Sequence, residues 1–192
     1  MEFSREELIK SVSEQMPAMR WKHTQGVMET AVKLAERYGA DPAKAERAAI
    51  LHDVAKYWPV KQMEAIIRDN DLSKDLLLYD KSLWHAEVGA FVAKRDYGVE
   101  DAEILDAIKY HTSGRIGMTL MDKVVCLADY IEPGRDFPGV NNIRELANHS
   151  LEEGLIAGFD STISLLVSRR QIIYPLTFFA RNDLIKQLEA NS

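Results

Sequence analysis

The sequence predicts an all-α protein folded as one compact domain. Apolar residues recur at helical spacing almost from end to end, capping signals open and close these stretches, and no alternating run is long enough to support a sheet. A chain of 192 residues suits one domain with a substantial core.

Ser4 with Glu7 makes a capping box and opens the first helix. The second runs from about Pro17 to Tyr38 and stops at Gly39, which can take the left-handed helix-ending conformation. Asp41-Pro42 supplies a cap and a first-turn proline for a third helix reaching about Lys56. Pro59 starts a short fourth, and the stretch from Asp69 to Leu83 is expected to be irregular. Helices follow over residues 84–97, closed by Gly98, and over 101–111; Gly114, Arg115 and Gly117 make a loop. Thr119 with Asp122 opens the next helix, Pro133-Gly134 ends it, and Glu132 to Val140 reads as a Gly/Pro-rich loop. Ser150 with Glu153 opens a long helix to about Arg170, and a last helix fits 178–190. Connections of this length are ordinary for a helical domain.

The formal net charge is −6, so the surface as a whole repels phosphate, which argues against nonspecific nucleic-acid binding. A small polyphosphate would need a local positive pocket or bound cations. The single cysteine, Cys126, allows no intrachain disulfide and sits in an apolar run as a small buried hydrophobe, which fits a reducing cytoplasm. Met1 to Glu7 shows no leader pattern, and no apolar run approaches membrane-spanning length. The run Ile163 to Val167 reads equally as core or as a homodimer interface.

Six residues form a candidate metal-ligand set: His23, His52, Asp53, His85, His111 and Asp129. His23 shares a stripe with Val27, Ala31, Leu34 and Tyr38; His52 follows Ala45, Ala48 and Ala49; His111 follows Ile104, Ala107 and Ile108. Spacings of three, four and seven turn each of these histidines inward. Asp129 lies in the apolar run Val124 to Ile131, where an unpaired carboxylate would be costly. Asp53 is expected about 100° round a helix from His52, so the pair can flank one site. Taken singly, an inward histidine is usually a hydrogen-bonded core residue and a buried aspartate a salt-bridge partner. Four histidines and two aspartates together are better explained by metal. The mixed nitrogen and oxygen set suits iron, manganese, cobalt or zinc, and lacks the thiolates of a structural zinc site.

The order His23, His52-Asp53, His85, His111, Asp129 resembles the HD-domain phosphohydrolases in their two-metal version. Arg20 to His23, His52 to Lys56, His111 to Gly114, the string Ala128 to Gly139 and the tail Pro175 to Thr177 with Ala180 to Asn182 are similar to the YqeK branch, the symmetrical bis(5'-nucleosyl)-tetraphosphatases. The likeness covers about residues 17 to 185. It departs where Ala86-Glu87 follow His85 in place of the glycine common in the family, and at Leu176 and Asn182-Asp183.

The resemblance implies an HD-domain helical bundle with a core over about 17–133 and a C-terminal helical extension over about 140–190 packed on it. It also implies a di-iron centre and symmetrical cleavage of diadenosine tetraphosphate to two ADP. His23, His52, Asp53 and Asp129 would hold one metal, and Asp53, His85 and His111 the second. Lys56 and Arg135 match phosphate-contacting residues and, with Asp53, would carry catalysis. Arg20, His111, Thr112, Thr177 and Arg181 would border the nucleotide.

Two metals about 4 Å apart can activate a bridging water and absorb phosphate charge, so no side-chain nucleophile is needed. Lys56 is expected one turn after His52, and Arg135 lies in the loop after Asp129 as a planar fork for phosphate. The amides of Thr112 to Arg115 could form an anion nest. A phosphodiesterase or nucleotidase with the same metals, and a nucleotide-sensing module with structural metals, are the alternatives. Trp21, Trp58 and Trp84 each lie near a candidate ligand and are read as base-stacking or core residues.

Overall fold

The computed structural model describes residues 3–190. Met1 and Glu2, the start of the segment read for a leader pattern, lie outside it with the last two residues. Among the described residues there are ten α-helices and no strand. They are α1 (Arg5–Ser13), α2 (Ala18–Tyr38), α3 (Pro42–Leu51), α4 (Val60–Asp69), α5 (Trp84–Tyr97), α6 (Ala102–Tyr110), α7 (Leu120–Ile131), α8 (Val140–Leu146), α9 (Leu151–Ser168) and α10 (Pro175–Ala190).

The caps act as their chemistry requires. Ser4 and Thr119 both complete capping boxes, with Glu7 and Asp122. Asp41 accepts from the amides of Ala43 and Lys44, and Gly39 and Gly98 end α2 and α5 in the left-handed region.

The central helix is α7. Val124 through Ala128 are completely buried, and α2, α3, α6, α8 and α9 all pack on this helix. Small side chains let the backbones approach closely: Ala31 and Ala35 on α2, Ala45, Ala48 and Ala49 on α3, Ala107 on α6 and Ala128 on α7 are all fully buried. Leu155 and Phe159 of α9 and Leu184 of α10 are likewise fully buried, at about 2 kcal/mol each from apolar burial. Among the described residues no helix is long and apolar enough to cross a membrane.

Five expectations are corrected. The helix opened by Asp41-Pro42 stops at Leu51, and residues 52–57 continue as tight turns with i→i+3 bonds, among them Val54 N–H to Leu51 O and Lys56 N–H to Asp53 O. His52 and Asp53 therefore do not share a regular helix. The stretch from Asp69 to Leu83 contains two 3₁₀ turns, Lys74–Leu78 and Lys81–Leu83. Helix α8 is absent from the sequence reading, although Val140, Ile143 and Ala147 carry a helical period and are all buried. Helix α10 begins at Pro175, a first-turn proline, three residues early. The run Ile163 to Val167 is not core: Leu165 is 47% exposed and Val167 60%.

Candidate metal centre and its flanking clefts

Five helices converge on one point. His23 comes from the middle of α2, His52 caps the C-terminus of α3, and Asp53 follows in the tight turn. His85 is in the first turn of α5, His111 caps the C-terminus of α6, and Asp129 lies in the last turn of α7. His52, Asp53, His85 and His111 are buried, each at most 1% exposed.

Asp53 is the hub. Its Oδ2 lies 3.0 Å from His52 Nε2 and 3.8 Å from His23 Nε2. Its Oδ1 lies 3.1 Å from His85 Nε2 and 3.9 Å from His111 Nε2. Asp129 Oδ1 sits 3.0 Å from His23 Nε2, beside the first pair. All six candidate ligands are thus brought together, and the two carboxylate oxygens face different pairs of imidazoles. His23, His52 and Asp129, and separately His52, Asp53 and His111, each present ligand atoms within 4.8 Å of one another.

The imidazoles share a common orientation. His52 Nδ1 is 2.6 Å from Ala49 O, His85 Nδ1 is 2.6 Å from Ser82 O, and His111 Nδ1 is 2.7 Å from Ile108 O. A carbonyl can only accept, so each Nδ1 carries the proton and donates it three residues back along the chain. In the neutral ring this leaves Nε2 with a lone pair directed at Asp53. Burial, then His52 and His85, push His111 down to about 3, so it is neutral at ordinary pH. Burial likewise lowers His85. Burial opposes ionisation of Asp53, but His52 and then His85 overcome it and hold the carboxyl well below its usual range.

This donor set fits divalent cations. His23 Nε2, His52 Nε2 and both oxygens of Asp53 are buried without a hydrogen-bond partner. Such groups are normally satisfied, and four of them converging on one point fit a shared cation. Cationic side chains ring the cluster. Arg20 pairs with Asp53, Arg135 donates to Asp129 Oδ1 at 2.5 Å and to its carbonyl at 2.7 Å, and Lys56 Nζ lies 3.4 Å from both ring nitrogens of His85. Burial pushes the Lys56 ammonium down from its ordinary value.

Glu132 is the residue the sequence reading missed. It is 3% exposed, and its Oε1 accepts from His23 Nδ1 at 3.0 Å, while Oε2 accepts the Gly134 amide at 2.5 Å. A Cβ on Gly26 would strike this carboxylate. Glu132 thus does for His23 what backbone carbonyls do for the other three histidines. The available signal was its place three residues after Asp129, at the C-cap of α7 just ahead of Pro133-Gly134. Arg144 of α8 steadies this turn, donating to the carbonyls of Ile131, Glu132 and Arg135. Glu132→Ala is expected to weaken divalent-metal affinity by about 10- to 100-fold, with Glu132→Gln closer to wild type because its amide oxygen still accepts. Calorimetric titration with manganese checks this, and equal affinities for all three proteins would exclude the orienting role.

Two clefts flank the centre. The larger, about 810 Å³, is lined by His111, Asp129, Arg135, Tyr130, Phe137 and Leu165 among others. The second, about 640 Å³, lies between the Leu78–Leu83 segment and the junction of α9 with α10. Thr112 lines both, and Thr177, 4% exposed, lines the second. Arg181 pairs with Asp160 at 2.7 Å and lines neither. The Gly114 amide is used on Tyr110 O, which removes it from the expected anion nest. No tryptophan lines either cleft; Trp84 is buried and donates Nε1–H to Leu76 O. Glu87, two residues after His85, is buried and accepts from Ser73 and Lys109.

Comparison with known proteins follows this geometry closely. The HD domain family model matches residues 20–134, which span every candidate ligand. The chain is 49% identical to the symmetrical bis(5'-nucleosyl)-tetraphosphatase of Bacillus subtilis over 95% of this chain and 98% of that protein. It is 42% identical to the protein of the same name from Halalkalibacterium halodurans, over 95% and 97%. In fold it is similar to a Clostridium acetobutylicum HD superfamily hydrolase described as involved in NAD metabolism. The TM-score is 0.93 at 35% identity, covering 97% of this chain and all of the other.

Proposed function

The chain belongs to the HD domain family, and from that premise we propose that it is a metal-dependent phosphoanhydride hydrolase cleaving diadenosine tetraphosphate symmetrically to two ADP. One observation carries the reading: the two oxygens of Asp53 each face a separate pair of imidazole Nε2 atoms. His23, His52, Asp53 and Asp129 would hold one cation, and Asp53, His85 and His111 the other. Iron is the proposed metal, with manganese, cobalt or zinc compatible with the same donors. Bound there, divalent cations supply water activation and charge neutralisation at phosphate.

The chain's own residues do the rest. The Nδ1–H anchors keep the histidine rings fixed, so no reorganisation precedes reaction. Arg135 and Lys56 border the same cluster and suit phosphate oxygens, the first as a fork and the second as a point charge. Arg20, Lys56 and Arg135 balance the charges of Asp53, Asp129 and Glu132. A polyanion would therefore be held chiefly once cations are present. A cytoplasmic setting suits the single buried cysteine.

The test is product analysis. Metal-loaded protein is incubated with diadenosine tetraphosphate under reducing conditions. ADP as sole product is expected. AMP with ATP would assign asymmetrical cleavage, and unchanged substrate across iron, manganese, cobalt and zinc would refute the activity.

A further inference from the structure

We propose that Glu87 is a positioning residue for one half of the metal centre, holding His85 and His111 at the spacing that takes the second cation. This rests on the two-cation reading in the preceding section. Glu132 stands behind the other half through a direct bond to His23. Glu87 touches no ligand; it acts through the three elements that carry and anchor His85 and His111.

The approach of His85 to His111 needs a hold from outside. Their Nε2 atoms lie 3.3 Å apart and their ring centroids 5.1 Å apart. Each ring donates Nδ1–H to a backbone carbonyl, so in the neutral form each presents a lone pair at Nε2. Neither can donate to the other, and two lone pairs at that distance repel. Until a cation draws on both, packing has to keep α5 and α6 together against this repulsion.

Glu87 lies two residues after His85, and Lys109 two before His111. The Glu87 carboxylate is buried, and its Oε1 accepts from Lys109 Nζ at 3.0 Å and from the amide and hydroxyl of Ser73 at 2.9 Å each. One oxygen thus ties α5 to α6 and to the residue that caps the Lys74–Leu78 turn. Both partners lead to an imidazole anchor. Lys109 adjoins Ile108, whose carbonyl holds His111, and the segment after Ser73 runs on to Ser82, whose carbonyl holds His85. Trp84 fastens the same segment to α5 a second time, through its bond to Leu76 O.

A buried ion pair adds little net stability, because taking both charges out of water offsets their attraction. What Glu87 fixes is geometry. Three donors converge on one charged oxygen, and charge-assisted bonds are shorter and stronger than neutral ones. The metal centre is therefore backed by two buried carboxylates from different elements, Glu132 behind His23 and Glu87 behind the His85–His111 pair. Each should govern one cation and not the other.

Calorimetric titration with manganese tests this. Wild-type protein is expected to take up two ions. Glu87→Ala should weaken one site by about 10- to 100-fold and leave the other unchanged, and Glu87→Gln, whose amide oxygen still accepts, should fall between. Lys109→Met removes the ammonium but keeps the stem at a side chain that is 29% exposed, so it serves if Glu87→Ala does not fold. It should weaken the same site about tenfold. Hydrolysis should fall with that site and return at raised manganese, a rescue that general loss of structure would not show. Glu87→Ala combined with Glu132→Ala should weaken both sites. A double variant that keeps one tight site would put both carboxylates behind the same cation and overturn the assignment. So would two unchanged sites in Glu87→Ala and Lys109→Met, or equal weakening of both. Wild-type protein that binds a single ion would instead overturn the two-cation reading.

Discussion

Asp53→Asn is expected to lower kcat/KM for diadenosine tetraphosphate by at least about a thousandfold while leaving the helical fold intact. Among the described residues Asp53 alone faces both groups of imidazoles, at 3.0 and 3.8 Å from Oδ2 and at 3.1 and 3.9 Å from Oδ1. Asparagine keeps the shape but replaces one oxygen by a nitrogen that does not ligate metal and removes the negative charge. Charge stabilisation by bound metal amounts to several kcal/mol, and each 1.36 kcal/mol is about tenfold in rate. The fold should survive because asparagine fills the same volume and because the fully buried Ala48, Ala49 and Leu51 pack without reference to the carboxylate. Steady-state kinetics with far-ultraviolet circular dichroism checks both halves. Retention of more than about a tenth of wild-type activity in a folded variant would remove Asp53 from the bridging position.

Gly114→Ala is expected to destabilise the protein by about 3 kcal/mol, a fall in Tm of about 6–12 °C for a chain of this size. Gly114 sits at φ +64°, where an L side chain costs about 1–2 kcal/mol. A Cβ there would also lie 2.7 Å from Phe159 Cζ and 2.8 Å from Ala180 Cβ, both on fully buried side chains that cannot yield. Overpacking of that kind adds about 1–3 kcal/mol. Gly117 separates the two causes. It has nearly the same backbone, φ +67°, but nothing within 4 Å of the added carbon. Gly117→Ala should therefore lose only the backbone part, about 1 kcal/mol. Equal losses in the two variants, measured by thermal denaturation, would show that crowding between α9 and α10 contributes nothing. Gly114 follows His111 by three residues, so the larger loss should also loosen the end of α6 that presents that imidazole.

Much of the centre was legible because its ligands are rare residue types on inward helical faces. His23, His111 and Asp129 each share a period with buried apolar neighbours, and four histidines aligned that way leave few explanations besides metal. Glu132 escaped because a carboxylate at the end of a helix reads as solvated until Gly26, Gly134 and His23 are seen to enclose it. The turn at His52-Asp53 escaped because the alanine-rich pattern before it continues to look helical up to Lys56.

Local periodicity and capping chemistry were enough to specify an all-helical chain and to nominate the six ligand residues, since both depend only on neighbours within a turn or two. Which Asp53 oxygen meets which imidazole and which carboxylate holds which arginine were settled only by packing. These relations hold between residues tens of positions apart, and they are decided by how closely small side chains let α2, α3, α6 and α7 approach.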